Sequence, residues 1–339
     1  MKKIIFTFFG LLLLVILSIV VFLSTKGYET KRFNVFISEK VKDTEKNLDV
    51  DLKTVKIKLD LKKFNLFLNT NEPVIKYENI NLPISRLSIY FDFFSLFKKN
   101  TYIKRVNIVF DKLEISNIKK LVVRIKPSNF KSFLLNNISE GFMEGSIDLD
   151  FLQNLKLSKY KIVGNLKETN INFFNKIKIR NTSFNFITDP DLTLINSISF
   201  DLKGVPVTNG FISIGQKDDF IIEGSLNTEI DSDTEKLSEL TKVFSNLDFS
   251  DRKVEINGSF LNKFKLNLDD TLKLKGYSYN LTGSLKESKI NFNKEFESSF
   301  LKKPIKKIFI DKSNLKVDLI KGKENQIFIE GLYKLGKKN

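Results

Sequence analysis

Between Ile4 and Leu23 the chain is almost unbroken hydrocarbon, with only Thr7, Gly10 and Ser18 as interruptions. About twenty residues rising ~1.5 Å each make a helix of ~30 Å, the thickness of a bilayer's hydrocarbon core. A helix apolar on every side has to be buried, in protein or in lipid. Lys2 and Lys3 would also suit the basic start of a secretory signal peptide. Such peptides carry an apolar stretch of only about 7 to 15 residues and end at a small-x-small cleavage site. This run is longer and leaves through Ser24, Thr25, Lys26 and Gly27. Residues 1–27 therefore read as an uncleaved single-pass anchor with membrane ends at Ile4 and Leu23. Lys2 and Lys3 on one side nearly balance Lys26, Lys31 and Arg32 on the other, so charge alone orients it weakly.

Behind the anchor the apolar period changes twice. From Tyr28 to Asn47, Phe33, Phe36, Ile37 and Val41 recur at three- and four-residue spacing, which predicts a short amphipathic helix. From Leu48 the period is two. Leu48, Val50 and Leu52 are followed by Val55, Ile57, Leu59 and Leu61, then by Phe64, Leu66 and Leu68, with slips that predict bulges or tight turns between antiparallel strands. Pro73 and Pro83 mark strand ends. Further alternating runs predict strands at Leu87–Phe91, Val106–Phe110 and Leu121–Ile125, and across most of the remaining chain. Ser128–Ile138 and Asp233–Asn246 return to helical spacing, the second behind an acidic start, and predict two short helical insertions.

The expected fold is mainly β: one transmembrane helix, a short amphipathic helix, then a long antiparallel sheet of roughly twenty strands, curled into a gutter or folded sandwich-like. Each strand alternates apolar residues with Lys, Asn or Asp, so the sheet has one oily and one wet face, and the oily face needs cover. A glycine phrase recurs in these strands, as in Glu144-Gly145-Ser146-Ile147, Val163-Gly164-Asn165-Leu166, Glu223-Gly224-Ser225-Leu226, Asn257-Gly258-Ser259-Phe260 and Thr282-Gly283-Ser284-Leu285. Unequal gaps exclude a solenoid of fixed period, and no copy has phosphate-loop spacing. Glycine in such strands predicts bends or bulges.

Composition narrows function by what is missing. The chain has no His, Cys or Trp. That closes Ser-His-Asp catalysis, thiol nucleophiles, zinc sites built on His or Cys, and iron–sulfur clusters. Grouped carboxylates, at Asp218-Asp219, Asp269-Asp270 and Asp231 to Glu235, fall at turns and helix starts, where they cap and solvate. No enzyme and no cofactor is expected. The net charge of +16 comes from lysine spread along the strands, while Arg is confined to Arg32, Arg86, Arg105, Arg124, Arg180 and Arg252. Bidentate phosphate and base recognition favours clustered Arg, so the charge reads as solvated strand faces with some attraction to anionic lipid, not as nucleic-acid binding.

From Thr30 to Leu121 the order of segments resembles the N-terminal region of the AsmA-like family of envelope proteins. It runs through Thr30-Lys31-Arg32-Phe33, the strands from Val55 to Leu66, Pro73-Val74-Ile75-Lys76-Tyr77, Leu82-Pro83-Ile84 and Ser95-Leu96-Phe97-Lys98-Lys99. The glycine-bearing strands resemble that family's repeated body. The resemblance divides the chain into the anchor (1–27), a helix-plus-strand head (28–126) and a repeated β body (127–339). It implies an inner-membrane anchor in a Gram-negative cell, a periplasmic body, and an apolar groove that carries phospholipid toward the outer membrane and supports its biogenesis.

On that reading the groove lining includes Val55, Ile57, Leu59, Phe64, Leu66, Ile89, Phe91, Val106 and Ile108. The same side chains would serve equally in a dry core. A non-enzymatic assembly factor for outer-membrane proteins and a structural envelope protein are the alternatives. Members of the family are often longer. The terminal strand signal Phe328–Tyr333 therefore leaves three expectations: a small member, a piece of a longer protein, or an edge paired with an outer-membrane or envelope partner.

Overall fold

The computed structural model describes residues 2–31, 34–35, 38–39, 41–42, 46–62, 65–78, 80–92, 102–123, 129–154, 156–173, 177–216, 219–238, 251–269, 271, 273–297, 299, 303–324 and 326–336. It falls into two compact units, Met1–Leu113 with Met143–Gly164, and Glu114–Phe142 with Asn165–Asn339. Sixteen strands join in one long antiparallel sheet that does not close into a barrel.

The first unit begins with α1 (Lys2–Thr25), a helix long and apolar enough to cross a membrane, none of whose spanning residues is fully buried in protein. It contains β1 (Tyr28–Thr30), β2 (Leu48–Asp51), β3 (Val55–Asp60), β4 (Asn65–Asn71), β5 (Val74–Tyr77), β6 (Ile80–Leu82), β7 (Ile84–Asp92), β8 (Ile103–Glu114) and β10 (Phe142–Phe151). The order β1-β3-β4-β7-β8-β10 forms its share of the long sheet, and β2-β5-β6 form a separate three-stranded sheet. Pro73 and Pro83 stand between strands, where a missing N–H costs no ladder bond.

The expected amphipathic helix begins later than its spacing predicts. Tyr28–Thr30 is a strand paired with Val55–Ile57, because the chain leaving α1 meets an unpaired β3 edge at once. Helical backbone is present at 34–35, 38–39 and 41–42, while Phe33, Phe36 and Ile37 lie outside the described residues. Asn34 fastens this segment to the strand after it. Its Oδ1 accepts from the Leu52 N–H at 2.8 Å, and its Nδ2 donates to Asp51 Oδ1 at 2.8 Å.

The second unit holds α2 (Ile115–Val122), α3 (Asn129–Asn137), β9 (Ile138–Ser139), most of the long β11 (Leu157–Phe173), and β12 (Ile177–Thr188), β13 (Leu192–Leu202), β14 (Val205–Gln216), β15 (Phe220–Ser232), β16 (Arg252–Leu268), β17 (Leu274–Phe296), β18 (Ile305–Ile320) and β19 (Gln326–Gly336). From β11 to β19 each strand pairs with the next in sequence, and β9 adds to β11. The strand expected at Leu121–Ile125 is replaced by α2, and 124–128 lie outside the described residues. Leu121 and Val123 alternate, but Ile115, Ile118 and Val122 keep three- and four-residue spacing, and that face wins because it buries Ile115 to 4 % exposure. Lys131 Nζ donates to the Val123 carbonyl at 2.6 Å, satisfying an orphan acceptor at the C-terminus of α2. Lys119 Nζ reaches the Leu135 carbonyl of α3 at 2.7 Å.

The first insertion falls where helical spacing predicts it, as α3. Of the second, 234–238 are helical and 239–250 lie outside the described residues. Asp233 Oδ1 caps the start by accepting from the Lys236 N–H at 3.1 Å, and Thr234 Oγ1 accepts from the Val254 N–H at 2.6 Å, which holds the turn to β16.

A seam of bulges crosses the second unit. Asn181, Ser197 and Asn209 have positive φ and sit at register shifts in consecutive strands, and further shifts lie at Glu255/Gly258 and Ile310/Lys312. Each bulge bends its strand and increases twist, so a row of them bends the sheet along one line. Beside it run the buried side chains Thr182, Ile198, Val207, Phe260, Leu285 and Ser313.

Candidate functional site

The register of the first unit places the expected lining on a single face. Ile57 pairs with Leu68 and Leu59 with Leu66; Leu66 pairs with Phe91 and Leu68 with Ile89; Ile89 pairs with Val106 and Leu87 with Ile108. Directly paired residues share a face. Thus Ile57, Leu59, Leu66, Ile89, Phe91, Val106 and Ile108 form one contiguous apolar surface with Leu68 and Leu87. All seven are half-buried, neither sealed nor fully open. Val55 lies at the end of the same strand at 1 % exposure, beside Leu52 at 2 %, and is core. Phe64 lies outside the described residues.

The opposite face is polar and cross-linked. Arg105 Nε donates to Asp150 Oδ1 at 2.6 Å, Asn107 Nδ2 to Asp148 Oδ1 at 3.0 Å, and Ser88 Oγ to Asn69 Oδ1 at 2.8 Å. Phe67 and Tyr90 stack there with ring centroids 4.9 Å apart.

A second apolar face lies in the second unit, and reading the strands singly does not find it. Register joins Leu226, Asn262, Leu281, Val317 and Ile327 in one row, Thr228, Phe260, Gly283, Leu315 and Ile329 in the next, and Gly224, Phe264, Tyr279 and Leu319 in a third. The individual alternations are visible in sequence, but which rows align is set by bulges that no periodicity reveals. One polar group interrupts this face. Asn262 Nδ2 donates to Thr228 Oγ1 at 3.0 Å and to the Leu226 carbonyl at 3.1 Å, and Tyr279 donates its hydroxyl to Asn262 Oδ1 at 2.7 Å. Desolvation pushes the Tyr279 phenol above its ordinary pKa, so it stays a neutral donor.

An open trough of about 1090 Å³ lies along the same strands. Its walls are mainly Asn227, Glu229, Ser259, Thr282, Ser284, Asn314, Lys316 and Glu330, with Phe328 and Leu261 among them. Phe260 and Leu315 line it as well, so the trough mixes hydroxyls and amides with apolar side chains.

The glycine phrase serves close approach more than bending. A Cβ on Gly283 would lie 2.6 Å from Phe260 Cδ1, one on Gly258 would lie 2.7 Å from Phe260 Cζ, and one on Gly224 would lie 2.6 Å from Phe264 Cζ. Aromatic rings occupy the volume that glycine leaves open. Only Gly258 of these three adjoins a register shift.

Among the described residues no group of three or more His, Cys, Asp or Glu side chains is placed to hold a metal ion. No protein-family model, curated protein or solved structure matches the chain.

Proposed function

We propose that this chain is a membrane-anchored lipid-handling protein whose half-buried apolar sheet face shields acyl chains. Its body stands in the periplasm of a Gram-negative cell, and phospholipid passes between inner and outer membrane in support of outer-membrane biogenesis. The supporting observation is the face shared by Ile57, Leu59, Leu66, Ile89, Phe91, Val106 and Ile108. It belongs to the unit that carries the candidate membrane helix, and only Lys26 and Gly27 separate α1 from β1.

The energetic demand is large. Exposing acyl chains costs ~0.8 kcal/mol per methylene, so a lipid with about thirty of them faces ~24 kcal/mol in water. A continuous apolar surface that is incompletely covered by the protein's own side chains lowers that cost. A sealed core cannot. The test places a photoreactive residue at Ile108 or at Asn107, neighbours on opposite faces, in full-length protein in its native membrane. Phospholipid crosslinking at Ile108 and little at Asn107 is expected. Equal labelling, or none, overturns the reading, as does native mass spectrometry showing a lipid-free protein.

An assembly factor for outer-membrane proteins is the second reading, favoured by the exposed edge strand β19. It predicts captured protein strands and little bound lipid.

A further inference from the structure

Strand β19 has an unusual exposure. Ile327, Ile329, Leu332 and Tyr333 are 65, 59, 71 and 64 % exposed, and Phe328 is 55 % exposed. Among the described residues β19 pairs with β18 alone, so its other edge presents free N–H and C=O groups. A long apolar strand with a free edge is a template for another strand.

The residue pattern of β19 identifies which strand. If a second β19 is laid antiparallel with Leu332 opposite Leu332, Glu330 of each copy falls opposite Lys334 of the other. Ile329 then faces Leu335, and Tyr333 lies across Gly331, as Phe260 lies across Gly283 within the sheet. Opposite charges directly paired across strands stabilise a ladder and like charges destabilise it. The two-fold arrangement makes each charge pair twice, as an isologous interface requires. Among the described residues the side chains of Glu330 and Lys334 have no hydrogen-bond or ion-pair partner within their own chain.

We infer that β19 is a self-pairing edge, with a second copy of this chain docking antiparallel about Leu332 and Glu330–Lys334 pairs setting the register. This does not rest on the lipid-handling reading, since a dimer forms whether or not lipid is bound.

The chain contains no cysteine, so single cysteines report the register directly. Full-length protein in nanodiscs or detergent, carrying either Leu332→Cys or Glu330→Cys, is oxidised and its dimer fraction read on a non-reducing gel. Cys at 332 lies at the two-fold and is expected to crosslink. Cys at 330 is displaced from its counterpart by four residues, ~14 Å, beyond the ~7 Å a disulfide spans, and is expected not to. In analytical ultracentrifugation Glu330→Lys or Lys334→Glu weakens the dimer about tenfold, and the two together restore it. A monomer at all accessible concentrations, equal crosslinking at both positions, or no restoration by the double reversal overturns the inference. Retained circular dichroism of each variant separates loss of pairing from loss of fold.

Discussion

The carbonyl oxygen of Ile57 lies 2.7 Å from where a Cβ on Gly27 would stand. Gly27 also has φ +74 and donates its N–H to the Phe22 carbonyl at 2.9 Å, so it ends α1 in the left-handed conformation that glycine adopts without penalty. The end of the candidate membrane helix is thereby pressed onto β3 with no flexible tether. Replacing Gly27 by Ala adds the left-handed penalty of ~1–2 kcal/mol and forces β3 aside. A melting temperature lower by roughly 4 °C or more is the expected outcome in a thermal scan. A flexible linker inserted after Gly27 tests the functional meaning of this contact. It should reduce lipid crosslinking at Ile108 if the anchor delivers lipid to the sheet, and undiminished crosslinking would make the anchor a simple tether.

Phe260 and Gly283 should be energetically coupled. Phe260 is 5 % exposed and its ring fills the space above Gly283. Phe260→Ala removes a buried aromatic and should cost ~3–5 kcal/mol. Gly283→Ala should also destabilise, because its methyl group meets Phe260 Cδ1 at 2.6 Å and the Ser259 carbonyl oxygen. In the Phe260→Ala background the ring clash is gone, so the second substitution should cost about 1 kcal/mol less than it does alone. Urea unfolding of the four proteins measures this, and strict additivity would deny the contact its importance.

The Arg105–Asp150 pair offers a more modest test. Two guanidinium nitrogens face the two carboxylate oxygens, at 2.6 and 3.4 Å, but both side chains are more than a third exposed. Solvent screening limits such a pair to a coupling of about 0.5–1 kcal/mol, despite its forked geometry. A double-mutant cycle with Arg105→Ala and Asp150→Ala should return that value in low salt and a smaller one in high salt.

Periodicity carried the fold further than it carried the site. Period-two runs such as Leu87, Ile89 and Phe91 announce strands because both sheet faces are distinct, and a 20-residue apolar run announces α1 because nothing else in the chain resembles it. The run at Leu121 and Val123 misled because two or three residues cannot separate a period of 2 from one of 3.6, and burial of Ile115 decided for helix. Tyr28–Thr30 became strand for a reason no local pattern contains, the open edge of β3. In the first unit the shared face of Ile57, Leu59, Leu66, Ile89, Phe91, Val106 and Ile108 follows from period-two alternation, whereas the pairing of β4 with β7 across the intervening β5 and β6 does not. In the second unit the rows through Asn262 and Phe260 depend on register shifts at Asn267/Leu268 and Asn291/Phe296, and a one-residue slip reverses a face. The role of glycine beneath Phe260 is equally a register effect, visible only once the two strands are paired.

Asp51 should give the junction between the helical segment and β2 a measurable acid dependence. The backbone N–H of Lys53 and the Asn34 amide both donate to its carboxylate, at 2.9 and 2.8 Å, and hold its pKa below the usual carboxylate value. A group whose folded pKa is depressed favours the folded state once pH exceeds its unfolded value, ~3.9. That contribution is complete at neutral pH and disappears as pH falls through the folded pKa. Asp51→Asn keeps one acceptor but removes the charge. Wild-type protein should therefore melt above Asp51→Asn at pH 6, and the difference should shrink steadily as pH falls below ~4. Other acid-sensitive carboxylates, such as Asp269 and Asp318, are present in both proteins and cancel in the comparison. A difference that stayed constant across that range would mean Asp51 acts through packing and not through its charge.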